Sequence, residues 1–154
     1  VNSQRPMSRR GVLAAGAASA VALSMTPVSP ARADAAETEE AARKLMGKFA
    51  AKEGRVHLKI KDTAESGAFE PIGVVVDSPM TPADHVKAIH VLAEGNPYPV
   101  VASWYLTPRS GRAEVNFRMR LAKTQFLRAY AVTSDGAVWM DRQEIKVTIG
   151  GCGG

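Results

Sequence analysis

The chain has 154 residues, 20 of them basic and 15 acidic, with a formal net charge of +5 and one cysteine. Four of the basic residues (Arg5, Arg9, Arg10 and Arg32) and none of the acidic ones lie in residues 1–33, so the other 121 residues carry sixteen against fifteen, a net of +1. That balance argues against a nucleic-acid footprint, which needs excess cations gathered on one face. A lone cysteine excludes an internal disulfide framework.

Residues 1–33 read as an export signal, with a basic start, an apolar run from Val12 to Met25, and a small-residue close at Ala31-Arg32-Ala33. Cleavage is expected after Ala33. The apolar run is too short and too rich in alanine for a membrane anchor. Arg9-Arg10 after Ser8 point to the twin-arginine route, although Val12 and Ala14 stand where an aromatic residue and a lysine are common. The expected destination is the periplasm, an oxidising space.

From Asp34 to about Ala51 the spacing of Ala42, Leu45, Met46 and Phe49 predicts one amphipathic helix, with Glu37, Glu39 and Glu40 early and Lys44 and Lys48 late. Beyond Gly54 the period becomes two. "RVHLKIKD", "EPIGVVVDS", "VKAIHVLAE", "PVVASWYLT", "RAEVNFRMRL", "TQFLRAYAVT", "AVWMD" and "QEIKVTI" read as short strands. The clearest is "RAEVNFRMRL", with Ala113, Val115, Phe117, Met119 and Leu121 on one face and polar residues on the other. Turns are expected at Gly95-Asn96-Pro97, Pro108-Arg109-Ser110-Gly111 and Ser134-Asp135-Gly136. Thr81-Pro82 suits one capped helical turn. The resulting fold class is all-β: an immunoglobulin-like antiparallel β-sandwich over residues 34–149, with a short N-terminal helix and a flexible arm at 150–154.

Residues able to carry chemistry are few. His57, His85 and His90 lack metal-site spacing and read as surface or satisfied core histidines, so neither a metal site nor a cofactor is expected. Asp77, Ser78 and His85 could be drawn as a triad, but the turn reading of Asp77-Ser78 is preferred. The aromatic residues Trp104, Tyr105, Phe117, Tyr130 and Trp139 fall within strands, where core or partner-facing packing is expected rather than a cofactor box. Arg118, Arg120 and Arg128 could meet acidic groups on a partner, but read first as a solvated strand face.

Cys152 remains, between Gly150-Gly151 and Gly153-Gly154. Glycines make the arm narrow and tolerant of backbone angle. With the last strand ending near Ile149, three residues at ~3.3–3.6 Å each carry the thiol about 10 Å beyond the sandwich. No cation stands beside Cys152 in sequence to lower its pKa. It therefore reads as a handle on which a substrate rides, with catalytic groups supplied by other proteins. Two other readings are an adaptor that uses Cys152 only for an intermolecular disulfide, and a thiol oxidoreductase, the latter disfavoured for want of a resolving cysteine. A further alternative, a ubiquitin-like carrier activated at its final carboxylate, would make Gly154 essential and Cys152 dispensable.

The combination "DSPMTPADHVKAIHVLAEGNP", "RLAKTQ", "SDG" and "VTIGGCGG" resembles the SoxY family of sulfur carriers across residues 34–154 and the leader. The resemblance implies an immunoglobulin-like fold, no catalytic residue of its own, and sulfur intermediates held covalently on Cys152. It implies a heterodimer with a SoxZ-type subunit that lacks its own leader, so that the pair is exported folded. It also implies visits to a haem-containing enzyme that attaches thiosulfate, a hydrolase that releases sulfate and, in systems that have it, a molybdenum-haem dehydrogenase that oxidises the remaining sulfane sulfur. Neither nucleic acid nor a membrane anchor enters this picture.

Overall fold

The computed structural model describes residues 34–149, so the segment expected to be an export signal and the Gly-Gly-Cys-Gly-Gly segment lie outside the described residues. Chain order is helix α1 (Ala35–Met46), then strands β1 (Ala51–Lys52), β2 (Val56–Lys59), β3 (Thr63–Ser66), β4 (Glu70–Val76), β5 (Val86–Ala93), β6 (Val100–Tyr105), β7 (Glu114–Met119), β8 (Gln125–Thr133) and β9 (Val138–Ile149). The larger sheet runs β1-β9-β8-β5-β6, with β3 also paired to β9; the smaller runs β2-β4-β7. Pairing is antiparallel except where β1 and β3 lie parallel to β9.

The two sheets close over one apolar core. The smaller contributes Val56, Leu58, Ile72, Val74, Val76, Val115 and Met119; the larger contributes Ile89, Val91, Ala93, Leu127, Ala129, Ala131 and Ile145. Full burial of an Ile or Val side chain contributes about 1.5–3 kcal/mol relative to exposure. The alternation read in "RAEVNFRMRL" is present, with Ala113, Val115, Met119 and Leu121 buried and Phe117 half-buried. This is the expected all-β sandwich, with α1 as a third layer. The outer face of the larger sheet meets α1 through Ala42, Leu92, Tyr130 and Val138, with Met46 and Phe49 packed against them. Covering β5 on both faces explains why nearly all of its eight residues are apolar and buried.

The structure differs from the sequence reading at four places. The helix stops at Met46 rather than near Ala51, because Gly47 takes φ 75° and donates its N–H to the Arg43 carbonyl at 2.8 Å. Phe49 still reaches the sheet, edge-on to Tyr130 with ring centroids 5.6 Å apart. The capped turn expected at Thr81-Pro82 is a bend, held by mutual Thr81–Asp84 hydrogen bonds. β3 carries no strand signal in sequence, since "TAES" offers only Ala64 to the core and pairs through its backbone. The two runs "AVWMD" and "QEIKVTI" form one strand, β9.

That continuity has a physical cause. The polar stretch Asp141-Arg142-Gln143-Glu144 interrupts the apolar pattern but serves both faces. On the inner side, Asp141 Oδ2 accepts the Leu58 N–H at 2.8 Å and Gln143 Nε2 donates to the Leu58 carbonyl at 3.3 Å, clipping the two sheets together at β2. On the outer side, Arg142 reaches Glu94.

Candidate functional site

The expected site residues, Cys152 with Gly150, Gly151, Gly153 and Gly154, lie outside the described residues. What the structure describes is their root. β9 stays beside β8 as far as Ile145, and its last residues pair instead with β3: Thr63 with Lys146, Ala64 with Val147, Ser66 with Ile149. Thr124 Oγ1 accepts the Val147 N–H at 2.9 Å from the opposite side, and the Ile149 carbonyl accepts the Gly67 N–H at 2.7 Å. Gly67 in turn accepts from Leu121 at 2.7 Å. The strand is therefore held by backbone bonds up to its final described residue.

The surface around this root exposes large apolar side chains, as the surface at Tyr98 and Tyr105 also does. Ile149 is 67% exposed and Phe69 is 63% exposed, and the Arg120 guanidinium lies over the Phe69 ring at 5.4 Å from its centroid. Arg118 and Arg120 are exposed, as expected from sequence.

His57 Nε2 lies 2.9 Å from Asp77 Oδ2 in an exposed pair. His90 is buried, its Nδ1 2.7 Å from Ser103 Oγ, and burial holds its imidazole below the ordinary 6.5. His85 places a buried Nδ1 with no hydrogen-bond partner among the described residues. The paper triad does not assemble: Asp77 engages His57, and Ser78 Oγ accepts the Met80 N–H at 3.2 Å. Trp104 and Phe117 pack on each other at 4.9 Å, and Tyr130 lies in the core. Tyr105 lies outside the core and is exposed. No group of three or more His, Cys, Asp or Glu side chains gathers among the described residues, and no described helix is long and apolar enough to cross a membrane.

Arg128 corrects the reading as a solvated residue. Its side chain is only 12% exposed, beneath α1, bonded to Glu94 and to Glu39 Oε2 at 2.9 Å. Glu94 is 8% exposed and also takes a bidentate pair from Arg142 at 3.0 Å. Burial alone would raise the Glu94 carboxyl, yet hydrogen bonds from Arg142 and Arg128 together with their charges hold it below its ordinary 4.5. This cluster ties α1, β5, β8 and β9 together. Only the tertiary pairing of Glu94 with residues 34 and 48 positions later reveals it.

The model of a family described as "Sulfur oxidation protein SoxY" matches residues 42–152, spanning the sandwich and reaching the cysteine. The chain belongs to the SoxY family. Membership makes it a component of a sulfur-oxidation system. No match is found among curated proteins. Among solved structures, this SoxY-family chain is similar to the superoxide reductase (neelaredoxin) of Ignicoccus hospitalis: TM-score 0.54, 19% identity, covering 75% of this chain and 94% of that one. A variant of the same reductase gives TM-score 0.55 and 20% identity, covering 74% and 92%. At such identity the likeness is one of fold.

Proposed function

We propose that this chain is a non-catalytic carrier that holds sulfur intermediates covalently on Cys152 and presents them to partner enzymes of thiosulfate oxidation in the periplasm. The observation that carries this reading is the extent of the family match, which runs to residue 152 and so includes the lone cysteine. The root of the terminal segment supports it, because β9 is fastened through Ile149 and the glycines begin at the next residue.

In this reading Cys152 Sγ forms a bond to the sulfane sulfur of thiosulfate. The thiol proton goes to solvent, and two electrons pass to a haem-containing partner. A hydrolase then adds water to cleave the sulfane–sulfonate bond, releasing sulfate and protons and leaving a persulfide on Cys152. In systems that have it, a molybdenum-haem partner takes the electrons as the outer persulfide sulfur is oxidised to a sulfonate, with water supplying the oxygens and protons going to solvent. A second hydrolysis then releases sulfate and returns the Cys152 thiol. A SoxZ-type subunit accompanies the chain throughout. The four glycines give the thiol a narrow approach into each partner's cleft, and ordering them costs about 1–2 kcal/mol per residue, which favours release.

The test is Cys152→Ser in a reconstituted system, followed by intact mass measurement of the wild-type protein from cells oxidising thiosulfate. The variant is expected to keep its fold and lose turnover, and the wild type to carry sulfur and sulfur-plus-sulfonate adducts on the peptide containing residue 152. Sustained turnover by the variant would refute the carrier role.

A further inference from the structure

We infer that the surface at the root of the terminal segment, formed by Phe69, Arg120 and Ile149, is the docking patch for the proteins that act on Cys152, and that those proteins present an apolar cleft rim carrying a carboxylate opposite Arg120. The inference rests on the carrier reading and deepens it by naming where a visiting enzyme must sit and with what chemistry.

The argument begins from reach. Cys152 lies three residues beyond Ile149, and at ~3.3–3.6 Å per residue its thiol travels at most about 10 Å from that point. A stable protein contact covers about 800 Å² on each partner, a patch of radius roughly 16 Å. An enzyme that seats the thiol in its cleft therefore cannot avoid covering the surface around Ile149. The short tether decides which surface is covered.

The three side chains are brought there by the backbone bonds already described. The Gly67 N–H meets the Ile149 carbonyl, Phe69 follows two residues later, and the Gly67 carbonyl accepts from Leu121, the residue after Arg120. Segments separated by about eighty residues in sequence thus converge on one rim. Phe69 and Ile149 are both large apolar side chains left mostly exposed. Aromatic and arginine anchors of this kind dominate contact energies when a partner excludes water from them. Arg120 enters no ion pair among the described residues and instead rests on the Phe69 ring, so its charge is available to a partner carboxylate.

The experiment uses the chain with its partner subunit and measures steady-state kinetics of the haem-containing and hydrolase enzymes with the carrier as varied substrate. Phe69→Ala and Arg120→Glu are each compared with wild type and with Arg109→Glu, which makes the same charge change at the turn before β7, the far end of that strand from Arg120. Melting temperature and the rate of Cys152 modification by a small thiol reagent are measured on every variant. The expected result is a rise in KM of about tenfold for Phe69→Ala and for Arg120→Glu, with kcat, melting temperature and small-reagent reactivity unchanged and Arg109→Glu indistinguishable from wild type. Unchanged KM in both root variants overturns the patch, as does an equal rise in Arg109→Glu, which would reflect overall charge alone. A Cys152→Ser control that still turns over overturns the carrier reading itself, whatever the root variants do.

Discussion

At the scale of single residues, Glu94 is the side chain on which most depends. It sits almost buried between two arginines, so its negative charge is favoured by the same guanidinium groups that would be stranded without it. Its folded pKa lies below the ordinary carboxylate value. The stability it contributes is therefore fully present above the unfolded value and lost as pH falls through the folded one. Glu94→Gln is expected to cost about 1–3 kcal/mol at neutral pH in urea unfolding. Its stability should also decline less than wild type's as pH falls from neutral to below the ordinary 4.5, because the variant has no carboxylate there to protonate. A wild-type-like acid dependence in the variant would show that the cluster does not set the acid response.

At the scale of elements, β9 is the organising strand. It pairs with β8 along one side, with β1 and β3 along the other, and reaches across to β2 through Asp141 and Gln143. The Leu58 N–H faces away from its own sheet and would lack a protein partner without Asp141. Asp141→Ala is accordingly expected to destabilise the fold by about 1–3 kcal/mol, and Asp141→Asn, which keeps an acceptor oxygen, by less. The comparison is made by chemical denaturation, and equal losses in the two variants would count against the hydrogen bond as the cause. The polar residues that make β9 look like two strands in sequence are the ones that join the sheets.

At the scale of the whole molecule, a rigidly fastened sandwich stands beside a terminal segment whose side chains are absent but for one thiol. In the carrier reading the sandwich fixes a position and the glycines supply width and conformational range. Gly151→Val is expected to slow loading and unloading of Cys152 by partner enzymes while leaving the melting temperature unchanged. Single-turnover rates equal to wild type with every partner would remove the steric role of the glycines. The likeness in fold to superoxide reductases is a likeness of scaffold, and function follows from what is attached to the scaffold.

Much of this was legible before any coordinates. Alternation in "RAEVNFRMRL" marked a half-buried strand, because a strand's side chains alternate between faces whatever its neighbours are. The family and the thiol between glycines were likewise local patterns. Other features depend on partners distant in sequence. β3 carries almost no apolar signal and is a strand only because β9 offers it a backbone edge. Arg128, which reads as a solvated residue, is buried because α1 folds over it and Glu94 neutralises it. Phe69, Arg120 and Ile149 meet only through the bonds at Gly67. Periodicity and motif are properties of neighbouring residues and can be read along a chain. Charge pairing, sheet clips and composite surfaces are properties of approach in space, and the fold alone decides them.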